Sequence, residues 1–137
     1  MIEEAFELQE KFNSKLDKNY SKISRNLELK KECLLKNTLA IQQELAEMID
    51  SIPWKWWKKM EWDHNNIKIE IIDIFHFVIN LAQAAGMDAE EFCDLFYKKN
   101  MLNTIRQNKG YRKGLYNKLD KDGIEDNTKL FSEEIND

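Results

Sequence analysis

The stretch Asn65-Asn66-Ile67-Lys68-Ile69-Glu70-Ile71-Ile72-Asp73-Ile74-Phe75-His76-Phe77-Val78-Ile79-Asn80-Leu81-Ala82-Gln83-Ala84-Ala85-Gly86 decides the fold. It runs without proline to Gly86, a residue suited to the left-handed position that ends a helix. Ile67, Ile71, Ile72, Ile74, Phe75, Val78, Ile79, Leu81 and Ala82 cover most of a helical circumference. The pattern predicts a helix over 65–85 that is largely buried. Its polar residues Glu70, Asp73, His76 and Asn80 share one arc of about 120°, with Phe77 inside it.

Upstream, Leu34, Thr38, Ile41, Leu45, Met48 and Ile52 recur at steps of three and four residues, which predicts a long helix over about 28–51. Pro53 stops it. The run Pro53-Trp54-Lys55-Trp56-Trp57-Lys58-Lys59 follows, with a fourth tryptophan at Trp62. Phe6, Leu8, Phe12 and Leu16 mark a first helix over 2–17, and the polar stretch 17–26 reads as a connection. Downstream, Asp88 and Glu91 have the spacing of an N-cap and its capping-box partner, opening a helix with Phe92, Leu95, Phe96 and Leu102. Gly110 and Gly114 break it, and 119–137 reads as a loosely ordered tail.

The expected fold is therefore all-α, a bundle of about four to five helices forming one domain over 1–137. The composition agrees: 137 residues hold one proline and four glycines, too few for the turns of a sandwich or barrel. No run of about 18 apolar residues is present, so no membrane span is expected. The acidic start Met1-Ile2-Glu3-Glu4 lacks the form of a signal peptide. Cys33 and Cys93 read as reduced core thiols, which suits a cytoplasmic protein.

The chain has 21 Lys and Arg against 25 Asp and Glu, a sum that gives no general attraction to nucleic acid. Yet the charges are segregated. Residues 98–118 contain Lys98, Lys99, Arg106, Lys109, Arg112, Lys113 and Lys118 and no acid. Glycines at 110 and 114 would let backbone approach a polyanion closely.

Two acid pairs, Glu44-x-x-Glu47 and Glu70-x-x-Asp73, lie on the two central helices. Residues three apart are about 60° apart on a helix, so each pair can reach one ligand. Four acids gathered beside apolar helices repel one another unless protonated, paired with a base or bound to a cation. An all-oxygen donor set favours Mg²⁺, or Mn²⁺, over zinc. Carboxylates for a metal, bases for phosphates and aromatics for a ring together describe a nucleotide phosphohydrolase site.

In these same residues the chain resembles the dimeric all-α dUTPases of the MazG-like superfamily of nucleoside triphosphate pyrophosphatases. Three blocks carry the resemblance. The first is Gln9-x-x-Phe12-Asn13. The second joins Glu44-x-x-Glu47-x-x-Asp50-Ser51-x-x-Trp54-Lys55-x-Trp57-Lys58 to Glu70-Ile-x-Asp73-Ile-x-His76-Phe77. The third is Lys99-Asn100-x-Leu102-Asn103-x-x-Arg106-Gln107-x-x-Gly110-Tyr111-x-x-Gly114-x-Tyr116-x-Lys118, followed by Glu125-Asp126-Asn127.

The resemblance implies a homodimer that hydrolyses dUTP to dUMP and pyrophosphate, and dUDP to dUMP and phosphate, with attack at the β-phosphorus. It implies Mg²⁺ on Glu44, Glu47, Glu70 and Asp73, with Glu47, or alternatively Glu44, activating the water. Gln9 and Asn13 match positions near uracil, and Trp56 and His76 match positions beside base and sugar. Asn103, Arg106, Tyr111 and Lys118 match nucleotide and phosphate contacts; Lys55 and Lys58 are expected as further phosphate contacts. Many members carry an insertion where this chain has only residues 86–91, as expected of a short phage or bacterial type. The alternatives are a pyrophosphatase for dCTP or modified nucleotides and a non-catalytic nucleotide-binding module.

Overall fold

The computed structural model describes residues 1–132 and Ile135. The last part of the expected tail, residues 133, 134, 136 and 137, lies outside the described residues. Five α-helices follow in order: α1 (Ile2–Lys15), α2 (Tyr20–Ile23), α3 (Leu27–Asp50), α4 (His64–Ala85) and α5 (Ala89–Asn108). Two 3₁₀ turns follow, Tyr111–Lys113 and Asp126–Phe131. Among the described residues no strand forms; Leu119 and Glu125 make one isolated antiparallel bridge. The all-α expectation holds. No single helix in the described residues is long and apolar enough to cross a membrane.

The chain forms two compact units, Met1–Ala89 and Glu90–Asp137. The first is built on the pairing of α3 with α4, with α1 and α2 against α4. The starts of α3 and α4 are set by side-chain caps. Asn26 accepts the Leu29 N–H (3.1 Å) at the head of α3, and Asp63 accepts the Asn66 N–H (2.9 Å) at the head of α4. Gly86 ends α4 with φ +96°, in the left-handed conformation that few other residues adopt.

Two expectations need correction. Residues 17–26 are not wholly connection, since Asn19 caps the short helix α2 by accepting the Lys22 N–H. Four residues are too few for a periodic signal. Nor is α4 largely buried. Glu70, Ile79, Asn80, Ala82, Gln83 and Ala84 are buried, but Ile69, Ile71 and Ile72 are at least half exposed. A helix apolar all round is covered only where neighbours exist, and here they lie mainly along one side.

Helix α5 begins at Ala89, with Asp88 directly before it. Ala89, Leu102 and Ile105 are its buried apolar residues, and Leu130 of the second 3₁₀ turn is buried as well. Both cysteines are free thiols, Cys33 buried and Cys93 partly so.

Candidate active site

Glu44 and Glu47 stand one turn apart on α3, and Glu70 is presented by α4. One carboxylate oxygen from each lies within 4.8 Å of the others. Glu47 is exposed, Glu44 half-buried and Glu70 buried. The outer member is held by Gln43, whose amide donates to Glu47 Oε1 (2.9 Å). The inner one is held by Asn66, whose amide donates to Glu70 Oε1 (2.9 Å) and to Ser51 Oγ (2.8 Å). Asp73, one turn beyond Glu70, lies outside that closest set, but its charge reaches Glu44.

Burial pushes the Glu44 carboxyl above the ordinary carboxylate range. A proton shared with Glu70 and repulsion from Glu47, Asp73 and Glu70 push it further. Glu70 Oε2 is buried and accepts no hydrogen bond in the described structure. An unpartnered buried carboxylate oxygen is costly, and a cation satisfies it directly. Three hard oxygen donors on two helices fit Mg²⁺ or Mn²⁺.

A second constellation lies deeper on α4. Gln9 and Asn13 of α1 are buried, and their amides meet Asn80: both donate to Asn80 Oδ1, at 3.0 and 2.8 Å. Asn80 Nδ2 donates to Asn37 Oδ1 (3.0 Å), and Asn37 Nδ2 donates to the Cys33 carbonyl (2.9 Å). At the other end His76 Nδ1 meets Gln9 Oε1 at 2.6 Å. Gln9, Asn13 and His76, expected near the base, are thus brought together. Asn37 escaped sequence reasoning because it sits within the apolar stripe of α3 without a motif of its own.

The loop between α3 and α4 is closed at its base, where the Asp63 N–H donates to the Ser51 carbonyl (3.0 Å). Trp57 stands edge-on to both Trp54 and Trp56, with centroids 5.6 and 5.4 Å away. Trp56 is 89% exposed, free to meet a ring, and Lys58 is exposed beside it. Lys55 is turned back onto Asp50 (3.8 Å) and the Trp54 ring.

In the second unit Arg106 is buried and held by its own chain. Its Nε donates to Asp126 Oδ2 (3.0 Å), and Nη2 donates to Asp126 Oδ1 and to Asn127 Oδ1. Nη1 donates to Asn103 Oδ1 (3.3 Å). Tyr116 adds its hydroxyl to Asp126 Oδ2 (2.7 Å). The Arg106 guanidinium holds the Asp126 carboxyl below its ordinary range, and Asp126 in turn pushes Tyr116 and Arg106 upward. Arg106 and Asn103, expected as nucleotide contacts, here hold 125–127 against α5. Lys118 lies over the Tyr111 ring (5.0 Å). Lys109, Arg112 and Lys113 line an open cleft of about 410 Å³ around Gly110.

The class is thus an all-α protein whose two longest helices carry a three-carboxylate cluster with an unsatisfied buried oxygen. A family model described as dUTPase matches residues 1–83, and the chain belongs to that family. It is similar to the dCTP pyrophosphatase of Enterobacteria phage T4, with 51% identity over 36% of this chain and 29% of that protein. It is also similar to the dCTP pyrophosphatase of Enterobacteria phage LZ5, with 42% identity over 44% of this chain and 43% of that protein. A DNA replication protein of phage T4 is 53% identical over 28% of this chain and 10% of its own length. The chain spans less than half the length of these curated relatives. No solved structure matches it.

Proposed function

We propose that the protein is a Mg²⁺-dependent pyrophosphohydrolase of pyrimidine deoxynucleoside triphosphates, in which water and dUTP give dUMP and pyrophosphate, and water and dUDP give dUMP and phosphate. The observation that carries this reading is the cluster of Glu44, Glu47 and Glu70, with Glu70 Oε2 buried and unpartnered. These residues, with Asp73, would hold the cation. When bound, Mg²⁺ offsets phosphate charge and lowers the pKa of water.

Glu47 is the exposed acid of the cluster, steadied by Gln43, and suits the role of base toward the attacking water. Glu44, half-buried between Glu47 and Glu70, is placed as a cation ligand more than as a base. Lys58 is a proposed phosphate contact of the first unit; in the second unit Lys118 and Tyr111 offer a cation and a hydroxyl to a phosphate. Trp56 is the proposed stacking partner for the base, a contact worth about 1–3 kcal/mol. Within the second unit Arg106 pairs with Asp126, which also accepts the Tyr116 hydroxyl, so this ion pair steadies Tyr116.

The second reading, dCTP as the better substrate, is favoured by two relatives named as dCTP pyrophosphatases. The buried amides of Gln9 and Asn13 already donate to Asn80, so either pyrimidine would meet them only by exchanging those bonds. The deciding experiment offers dUTP, dCTP, dTTP and dATP with Mg²⁺ and resolves the products. Faster turnover of dCTP would replace the first reading by the second. Glu47→Ala should lower kcat by at least about 10²-fold. Full activity in that variant would remove the site assignment. Hydrolysis in ¹⁸O-water locates the attacked phosphorus, proposed to be β.

A further inference from the structure

The buried amides between α1, α3 and α4 form a directed chain, and its direction is fixed from one end. The Cys33 carbonyl can only accept, so Asn37 must turn its NH₂ toward it. That aims Asn37 Oδ1 at Asn80, which must answer with its own NH₂. Asn80 Oδ1 then faces α1 and receives the amides of both Gln9 and Asn13. Gln9, having spent its NH₂ there and on Asn13 Oδ1, presents Oε1 to His76. A carbonyl oxygen facing an imidazole nitrogen requires that nitrogen to carry the proton.

We infer that Asn37 and Asn80 are positioning residues which fix neutral His76 in the Nδ1–H form and leave Nε2 as a bare acceptor. The choice is made at a backbone carbonyl of α3 and passed through three side chains to α4. Gln9, Asn13, Asn37 and Asn80 are all at least nine-tenths buried, so water does not compete along the relay. His76 itself is partly exposed and can meet a ligand. An Nε2 acceptor selects a ligand O–H or N–H: a sugar hydroxyl, a ring imide or an exocyclic amine, and not a carbonyl oxygen. This ligand half rests on the nucleotide reading above; the tautomer half does not.

The test is long-range ¹H–¹⁵N correlation of the ¹⁵N-histidine-labelled protein at a pH where the ring is neutral. His64→Gln removes the other histidine signal. His76 should show a protonated Nδ1 and an unprotonated Nε2. Asn37→Leu, at the far end of the relay, should shift it toward the Nε2–H form or a mixture. Gln9→Met, at the near end, should do the same if Asn37→Leu fails to fold. A protonated Nε2 in the unmodified protein overturns the inference. So does an unchanged tautomer in the folded variants.

Adding dUMP, dCMP or 2′,3′-dideoxyuridine monophosphate then reads the ligand half. A shift of the His76 Nε2 resonance with dUMP and dCMP but not the dideoxy compound assigns the sugar hydroxyl. A shift with all three assigns the base. No shift with any of them overturns the ligand half and leaves the tautomer result standing.

Discussion

At Glu70 one carboxylate oxygen is served and the other is not: Asn66 donates to Oε1, while Oε2 is buried without a donor. Glu70→Gln removes that charge. It should stabilise the metal-free protein by about 1 kcal/mol and abolish stabilisation by Mg²⁺, which in the parent should reach about 2.7 kcal/mol at a hundred times Kd. Thermal melts with and without Mg²⁺ check both. The raised pKa of Glu44 has a sign that can be followed. The folded protein keeps a proton that the unfolded chain releases, so stability from this group is fully present below the ordinary carboxylate pKa. It is lost as pH rises through the raised one. Metal-free melts of Glu44→Gln should lack that downward slope. Asp126 runs the other way. Its pKa is lowered, chiefly by Arg106, so its contribution is present above the ordinary carboxylate pKa and is lost as pH falls through the lowered one. Asp126→Ala leaves buried Arg106 with only the more distant Glu125 carboxylate (3.9 Å) for its charge and should cost about 3 kcal/mol by denaturant titration at neutral pH.

Helix ends repay attention at the next scale. Asp63 caps α4, the helix that carries Glu70, and Asp63→Ala should cost about 1 kcal/mol in urea unfolding. Gly110 has φ +87°, and a Cβ there would lie 2.9 Å from the Leu115 Cβ, so Gly110→Ala combines strain with a clash. It should destabilise by about 1–2 kcal/mol and raise KM for the nucleotide. Much of this level was legible in the sequence. Gly86 and Pro53 mark the ends of two long helices, and the steps of three and four place each acid pair on one helix. The rest was not legible, for identifiable reasons. Asn37 looks like an interruption in an apolar stripe until Asn80 is set against it across two helices. Asn66 and Ser51 carry no motif, yet they orient Glu70. Arg106 reads as a free cation because its partner Asp126 lies twenty residues on, inside a segment that looked like loose tail. The apolar circumference of α4 predicted burial, but periodicity says which residues can be covered, not how many neighbours arrive.

Across the whole molecule, exposed apolar side chains fall in rows. Leu8 and Phe12 lie on α1 with Leu16 at its end, and Ile69 and Ile72 lie one turn apart on α4; all are more than half exposed. Ordered rows of this kind suit association with a second copy. Light scattering should give a dimer for the parent and a monomer for Ile69→Asp/Ile72→Asp; a monomeric parent would refute the pairing. The joint between α3 and α4 has a further consequence. The bond from Asp63 to Ser51 shuts the neck of the tryptophan loop, and Asn66 braces Ser51 and Glu70 from below it. The carboxylates therefore take their spacing from the neck and the helices, not from the residues that hang beyond it. The segment 53–60 is in effect an exchangeable cassette. Its length and aromatic content can change while the spacing of the three carboxylates stays as it is.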